Sequence, residues 1–409
     1  MPEKPKIESR KQDDAFYKWF LGKKPHRYHP HQQTLKWLSA LQPANYVKLL
    51  PLHLRDDPLQ VFDDDAATLD LATTCLEAFV APIHSGTRGH EFAAGLPVLR
   101  HAYETSNAGA RALKWYIDSQ ASSRFDVLMH PKFFKVLAHC MVAQSVEQDL
   151  WDLMFMDDQV NKVQVVDRPR YVWKGPVLKY LLQAKAFWAP EHESLTKATS
   201  TFRYALEWCG NSRTQSHVPP ARASEWLEGF MWKLDSRYAD GQSFDTYLSL
   251  LERWNKDPVG RAFARSRVLL GHPTKGDPDP ALTMLHEASD GGQNSKALRR
   301  KLGMRTKEGG SMLFWLYIAL ANELKARGRL EDAHWVLDFG HSQLPEYFTM
   351  EYRNPYKDRP EAHAPRKPTN NERKRGLSLD VDGFVQLDEK GQRYRQAEYE
   401  ASRGLQSTG

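Results

Sequence analysis

The sequence predicts an all-α fold, and three observations lead to this prediction. Apolar residues recur at intervals of three and four through most of the chain, which is the period of one face of an α-helix. Strict alternation of polar and apolar residues, the pattern of strands, is scarce before the C-terminal tail and is clearest in KVQVV at 162–166. Of the 409 residues 41% are hydrophobic, including 12 Trp and 18 Phe, so the helices can bury a largely aromatic core.

The chain divides by composition into an arm, a helical body and a tail. Residues 1–30 are polar and basic and predict a flexible N-terminal arm, whereas residues 31–350 carry the helical pattern and predict the body. Residues 351–409 are rich in Pro, Asn and charge, so they predict a mostly disordered tail that buries too little apolar surface to offset its chain entropy. Inside the tail, LSLDVDGFVQLD at 377–388 alternates on both sides of an Asp-Gly pair, which predicts a short hairpin.

Turn-forming residues separate the helical segments of the body. The breaks include DDP at 56–58, HVPP at 217–220 and GDPDP at 276–280. Ser243 directly precedes FDTYLSLL and is the predicted N-cap of that helix. The predicted helical segments before this one are HQQTLKWLSAL, AATLDLATTCLEAFV, GARALKWYIDSQA, FFKVLAHCMVAQ, PVLKYLLQAKAFW, SLTKATSTFRYALEWCG and ASEWLEGFMWKLDSRY.

Two features of the sequence bear on where the protein works. The longest apolar run, MLFWLYIALA at 312–321, has about half of the roughly 18–20 residues that cross a bilayer, so no transmembrane insertion is predicted. Cys75, Cys140 and Cys209 lie far apart in helical patterns, which favours buried thiols in a reducing, intracellular compartment. The sequence does not distinguish between the cytoplasm and the mitochondrion. The first 30 residues are basic, as in a mitochondrial presequence, but they also contain acids, in which such presequences are poor.

The stretch Tyr317–Pro345 has the small and large residues expected of a helical hairpin. The first helix would end at Gly328, and Pro345 would close the unit. Gly340 provides a small residue near the end of the second helix, although glycine is a poor helix former. Small residues allow two helices to cross closely, and large apolar residues fill the remaining space. The small positions are Ala321 and Ala333, and the large positions are Leu320, Leu324 and Leu337.

This arrangement resembles the tetratricopeptide consensus, and residues 281–310 resemble the related Sel-like repeat. The pairs Leu270-Gly271 and Leu302-Gly303 recur at a spacing of 32 residues, so two or three units are visible over about 257–345. The resemblance implies a right-handed α-solenoid of stacked helical hairpins. It also implies a long concave surface that binds extended peptides or nucleic acid.

Positive charge is concentrated in one part of the body. Residues 291–330 hold nine Lys and Arg but two acidic residues, whereas the net charge of the whole chain is +6. Three of these basic residues share a helix face through i, i+3 and i+4 spacing, and two arginines lie on the analogous helix one unit earlier. Stacked units would join them into a surface that binds a phosphate backbone or an acidic peptide, or that simply faces solvent. We call these residues the basic stripe: Arg261, Arg265, Lys296, Arg299, Arg300 and Arg305.

A second candidate binding element interleaves basic and aromatic residues in RPRYVWKGPVLKY at 168–180. Tyr171 and Trp173 could stack on unpaired nucleotides, since aromatic rings next to basic residues bind single strands. The alternative is that both rings pack at the start of a helix.

The sequence predicts no catalytic residue, no metal ligand and no cofactor. His26, His29 and His31 in PHRYHPH are close in sequence, but a flexible arm would not hold them in a converging geometry. GHPTKGD at 271–277 lacks the Lys and Ser or Thr that follow the second Gly of a phosphate loop. GGSML around Ser311 lacks the last Gly of a nucleophile elbow.

The function predicted from these features is that of a non-enzymatic interaction or assembly scaffold, whose helical surface binds a partner protein. The first alternative is RNA binding on the basic stripe, as in organellar helical-repeat proteins. The second alternative is an all-α enzyme whose site is assembled from distant residues and therefore leaves no spacing signature in the sequence.

Overall fold

The structure is a computed structural model, and its described residues form α-helices, a few 3₁₀ turns and one two-stranded ladder. This confirms the predicted all-α fold class. The described residues are 16–21, 23, 27, 29–31, 34, 37, 38, 41, 46, 48–85, 92–119, 131–155, 172–210, 218–289, 307–348, 377–379 and 385–387.

The chain forms two compact units, each made of more than one stretch of sequence. Unit A comprises Lys36–Ala184, Ser212–Pro219 and Asn354–Gly409. Unit B comprises Met1–Leu35, Lys185–Asn211 and Pro220–Arg353. The predicted single body of residues 31–350 therefore spans parts of both units.

In the described part of unit A, three helices pack against one buried helix. Its helices are α1 (Leu69–Ser85), α2 (Phe92–Ser106), α3 (Ala108–Asp118), α4 (Pro131–Ala143), α5 (Gln148–Phe155) and the first part of α6 (Lys174–Trp188).

Helix α4 is buried along most of its length and packs against α1 and α3. Phe133 and Phe134 of α4 contact the ring of Tyr116 at centroid distances of 5.8 and 5.2 Å. Gly109 allows α3 and α4 to approach closely, because a Cβ atom there would lie 2.9 Å from the backbone nitrogen of Met141. The core of unit A thus contains an aromatic cluster, and α3 and α4 cross closely beside it.

The cysteines of unit A are buried thiols. Cys75 on α1 and Cys140 on α4 are free and fully buried. Burial raises the pKa of the Cys75 thiol to about 12, and it raises the pKa of Cys140 as well. The side chain of Cys209 lies outside the described residues.

Unit B contains the remaining helices, which pack mainly on their neighbours in sequence. Helix α9 packs on α10, α10 on α11, and α12 on α13, while α7 packs on α9. They are α7 (Ser194–Gly210), α8 (Ala221–Lys233), α9 (Gly241–Trp254), α10 (Pro258–Leu270), α11 (Asp279–Ser289), α12 (Lys307–Ala326) and α13 (Leu330–Gln343).

Aspartates cap two helices of unit B. The carboxylate of Asp257 accepts hydrogen bonds from the first backbone N–H groups of α10, and that of Asp240 accepts one at the start of α9. The predicted N-cap Ser243 is wrong. Helix α9 begins at Gly241, so Ser243 is buried in its first turn and donates its backbone N–H to Asp240 at 2.8 Å.

Helices α12 and α13 form a hairpin in the segment where the sequence predicts one. The turn lies at Gly328, whose φ of 77° is in the left-handed region that glycine adopts without strain. Ala321, Ala333 and Leu337 are fully buried in the core of unit B. Gly340 lies where α13 crosses α12, and a Cβ there would be 2.9 Å from Cδ2 of Tyr317. The small residues of the predicted motif are therefore buried, and at Gly340 the two helices are too close for a Cβ atom.

The two strands lie in the predicted hairpin segment of the tail. They are β1 (Leu377–Leu379) and β2 (Val385–Leu387), and they pair antiparallel with Ser378 opposite Gln386. The rest of the predicted disordered tail lies outside the described residues. Among the helices that the structure describes, none is both long and apolar enough to cross a lipid bilayer.

Candidate functional site

A short aromatic segment near the N-terminus packs on the hairpin of α12 and α13, and we call residues 16–21 the docked segment. Residues 16–20 are helical. Phe20 is fully buried, and its ring centroid lies 5.1 Å from that of Phe348 and 6.1 Å from that of Phe314. The docked segment therefore completes the apolar core of the hairpin.

Polar contacts fix the orientation of the docked segment. The hydroxyl of Tyr17 donates to the carboxylate of Asp338, with distances of 2.9 and 3.0 Å to its two oxygens. The same ring stacks on His334 at a centroid distance of 3.8 Å. The side-chain amide of Asn322 donates to the carbonyl of Lys23 at 2.8 Å. We call the surface beneath the segment the docking face, formed by Phe314, Asn322, His334, Asp338, His341 and Phe348.

The prediction of a flexible arm is wrong for the docked segment. The average composition of residues 1–30 is polar, but the run FYKWFL at 16–21 is largely aromatic. The prediction rested on the average and did not consider this run. Four of these six residues are aromatic, and their spacing places Phe16 and Phe20 on one helix face. Lys18 and Trp19 are exposed on the other side. The local periodicity of this run was the signal that could have found the segment.

The structure describes only part of the basic stripe. Arg261 and Arg265 both lie on α10, where Arg261 is half-buried and Arg265 is exposed. The guanidinium of Arg265 lies 3.7 Å from the carboxylate of Glu252 on α9. The described part of the stripe is therefore partly neutralised by a neighbouring acid. Lys296, Arg299, Arg300 and Arg305 lie outside the described residues.

Trp173 is a packing residue in the structure. Its side chain is fully buried in unit A, and its ring contacts Phe134 at a centroid distance of 5.9 Å. The predicted stacking role is wrong for Trp173, because a base cannot reach a ring with no exposed face. Tyr171 lies outside the described residues.

Two histidines from the N-terminal region meet a glutamate from a distant part of unit B. The ligating atoms of His29, His31 and Glu191 all lie within 4.8 Å of one another. Glu191 begins the 3₁₀ turn Glu191–Glu193 that connects α6 and α7. The structure thus gives His29 and His31 the converging geometry that the sequence analysis does not expect of a flexible arm. His26 lies outside the described residues.

The environment of this group favours a neutral His31. Its side chain is fully buried, and burial together with the nearby His29 lowers the pKa of His31 to about 4. The Nε2 atom of His31 lies 3.3 Å from the hydroxyl of Ser194. The Nε2 atom of His29 lies 3.0 Å from a carboxylate oxygen of Glu191.

A second polar group lies buried between α8, α9 and α10. The hydroxyl of Tyr247 donates to Glu228 at 2.6 Å and lies 2.5 Å from the hydroxyl of Ser224. Arg267 lies 3.4 Å from the other carboxylate oxygen of Glu228. The side chains of Glu228 and Arg267 are only 7% and 8% exposed, so this network is placed to connect three helices rather than to meet a substrate.

His272 and Asp245 form a third group, which has a structural explanation. The Nε2 atom of His272 lies 3.4 Å from Asp245, and its Nδ1 atom accepts hydrogen bonds from the backbone N–H groups of Thr274 and Lys275. Since these amides use the Nδ1 lone pair, the ring is not free to act as a general base there. The histidine holds the turn between α10 and α11.

The fold and these sites define the class as an all-α protein with a helical hairpin that holds a peptide-like segment of its own chain. No protein-family model matches the sequence, and no curated protein or solved structure shows significant similarity to it.

Proposed function

We propose that the chain is a non-enzymatic α-helical repeat protein that binds a partner protein as an interaction or assembly scaffold. Its hairpins would stack as a right-handed solenoid, as the tetratricopeptide-like resemblance implies. The observation that carries this proposal is the docking face, which already holds a short aromatic helix. Helix-in-groove recognition uses the same elements, namely apolar anchors one turn apart and a few oriented hydrogen bonds.

The docking face has both elements on one surface. Phe20 is the buried anchor, and Tyr17 combines a stacked ring with a hydrogen bond to Asp338. A partner helix with the same spacing of aromatic residues would find the same contacts. RNA binding on the basic stripe stays the alternative, but the described residues favour it less, because Arg265 lies near Glu252 and Trp173 is buried.

A peptide-binding experiment tests the docking face directly. The probe is a fluorescent peptide with the sequence of residues 14–23, DAFYKWFLGK. We expect full-length Phe20→Ala protein to bind this peptide, because its own segment has lost its anchor and no longer competes well. Wild-type protein should bind the peptide more weakly. Fluorescence anisotropy measures both affinities.

Matched variants make the result specific. In the Phe20→Ala background, Asp338→Ala should weaken peptide binding, whereas Glu331→Ala, an exposed acid on the same helix, should not. A peptide with alanine in place of Phe16, Tyr17 and Phe20 should not bind. If the Phe20→Ala protein keeps its helical circular dichroism but does not bind the peptide, the docked segment is a permanent part of the core and the proposal loses its support.

A further inference from the structure

We infer that His29, His31 and Glu191 form a binding site for a divalent transition-metal ion, with zinc as the expected occupant. The inference is independent of the proposed function, since it rests on different residues and needs no partner protein. The bound metal ion would connect the chain that follows the docked segment to the turn between α6 and α7.

The geometry is already close to that of a coordination site. Zinc binds imidazole nitrogen and carboxylate oxygen at about 2.0–2.2 Å, so tetrahedral ligand atoms lie about 3.3 Å apart. The 3.0 Å between Nε2 of His29 and Oε1 of Glu191 is near that value. The three ligating atoms lie within 4.8 Å of one another, so small side-chain rotations would bring His31 into the shell.

The donor set selects the class of metal. Two imidazole nitrogens and one carboxylate oxygen suit zinc and similar transition ions, whereas calcium and magnesium prefer sites made of oxygen alone. Three protein ligands leave one tetrahedral position for water.

Neighbouring side chains are placed to orient the ligands. The hydroxyl of Ser194 lies 3.3 Å from Nε2 of His31, and Tyr238 hydrogen-bonds to Glu191. The ring of Tyr238 also lies against His29, at a centroid distance of 5.1 Å. Outer groups that hold imidazole and carboxylate ligands in place are a regular feature of metal sites.

Zinc binding would change the hydrogen bond that His29 makes through its other ring nitrogen. At present, Nδ1 of His29 accepts a long hydrogen bond of 3.3 Å from the backbone N–H of His31. A neutral His29 that binds zinc through Nε2 carries its proton on Nδ1, so this hydrogen bond is given up. Loss of the hydrogen bond from the backbone N–H of His31 would therefore be a second sign of zinc binding, in addition to the bound zinc.

The test is a metal titration of untagged full-length protein after treatment with a chelator. Zinc binding is measured by isothermal titration calorimetry, and cobalt is used as a spectroscopic probe of tetrahedral coordination. We expect one equivalent of zinc to bind. Glu191→Gln and His29→Gln should each reduce the affinity by about tenfold or more and remove the cobalt absorption. Both side chains are partly exposed, so these variants should keep the fold, as circular dichroism would show.

His192→Gln is the matched control, because His192 is next to Glu191 in sequence but points to solvent. It should bind zinc like the wild type. The inference is overturned if the wild-type protein binds no stoichiometric zinc at micromolar concentration. It is also overturned if Glu191→Gln and His29→Gln bind zinc as tightly as the wild type, or if His192→Gln loses binding to the same extent.

Discussion

At Gly340 the absence of one methyl group allows α12 and α13 to cross. A Cβ atom at this position would lie 2.6 Å from Cζ of Phe348 and 2.9 Å from Cδ2 of Tyr317. Neither ring can move easily, because both are buried in the same core as Phe20. Packing thus outweighs helix propensity here, since glycine inside a helix costs about 1 kcal/mol relative to alanine.

We predict that Gly340→Ala destabilises the protein in spite of this propensity. Overpacking should cost roughly 1–3 kcal/mol, which exceeds the gain in propensity. The control is Gly229→Ala on α8, where a Cβ would meet no atom within 4 Å, and this change should stabilise by up to about 1 kcal/mol. Urea unfolding followed by circular dichroism measures both free energies of unfolding. Equal effects of the two substitutions would contradict the close crossing.

Glu228 shows how a buried residue couples folding to pH. Desolvation raises the pKa of Glu228 above the ordinary 4.5, although Arg267, Tyr247 and Ser224 act in the opposite direction. The folded state therefore holds the proton more tightly than the unfolded state. Protonated Glu228 therefore contributes to the free energy of unfolding below pH 4.5. This contribution is lost as the pH rises through the folded-state pKa of Glu228.

We predict that Glu228→Gln reduces this pH dependence. The free energy of unfolding of the wild type, relative to the variant, should fall as the pH rises from about 4 to 7, by about 1.4 kcal/mol for each unit of pKa difference. Gln keeps an oxygen that accepts from Tyr247 and Ser224, so the comparison isolates the ionisation. Chemical unfolding at a series of pH values measures the difference. A difference that rises with pH would show that the pairing with Arg267 outweighs desolvation.

At the scale of the helices, the docked segment is the element that the average composition of residues 1–30 did not predict. An arm that is polar on average contains one turn with aromatic residues on the face that meets α12 and α13. The N-cap of α9 shows a similar limit. Asp240 and Ser243 are both good caps, and the choice between them depends on where the backbone enters the helix, which the sequence did not show.

We predict that Phe20→Ala strongly destabilises unit B. Removing a fully buried phenylalanine should cost about 3–5 kcal/mol through lost burial and the cavity that remains. Trp19→Ala is the control, because Trp19 is adjacent and larger but 47% exposed, and it should cost much less. Thermal and urea unfolding measure the loss of stability in each variant. Similar losses for the two variants would mean that the segment is held by something other than the Phe20 anchor.

At the scale of the whole molecule, the distribution of charge separates the two binding hypotheses. The net charge of +6 is small for 409 residues, and Arg265 of the basic stripe lies near the carboxylate of Glu252. An RNA complex would depend on phosphate contacts and would weaken steeply with salt. A complex on the docking face would depend mainly on apolar burial and would respond less to salt.

We predict that partners recovered with the tagged protein from its own cell extract survive ribonuclease treatment at matched salt. The physical reason is that apolar anchors, rather than phosphate contacts, provide most of the affinity. Mass spectrometry of the treated and untreated samples identifies the retained proteins. Loss of the partners together with recovery of RNA would instead favour the basic stripe, and charge reversal at Arg299 and Arg300 would then abolish the recovery.

The sequence by itself determined the all-α class, the hairpin of α12 and α13, and the two buried thiols of unit A. These features depend on periodicity and on residue size over short stretches, and both can be read locally. Only the tertiary structure decided that Phe20 lies in the core, that Trp173 is buried, and that Glu191 meets His29 and His31. These contacts join residues far apart in the chain. The periodicity of FYKWFL indicates that Phe16 and Phe20 share a helix face, but it does not show what covers that face. The contacts of Trp173 and Glu191 have no local signal, because they follow from how the completed helices pack.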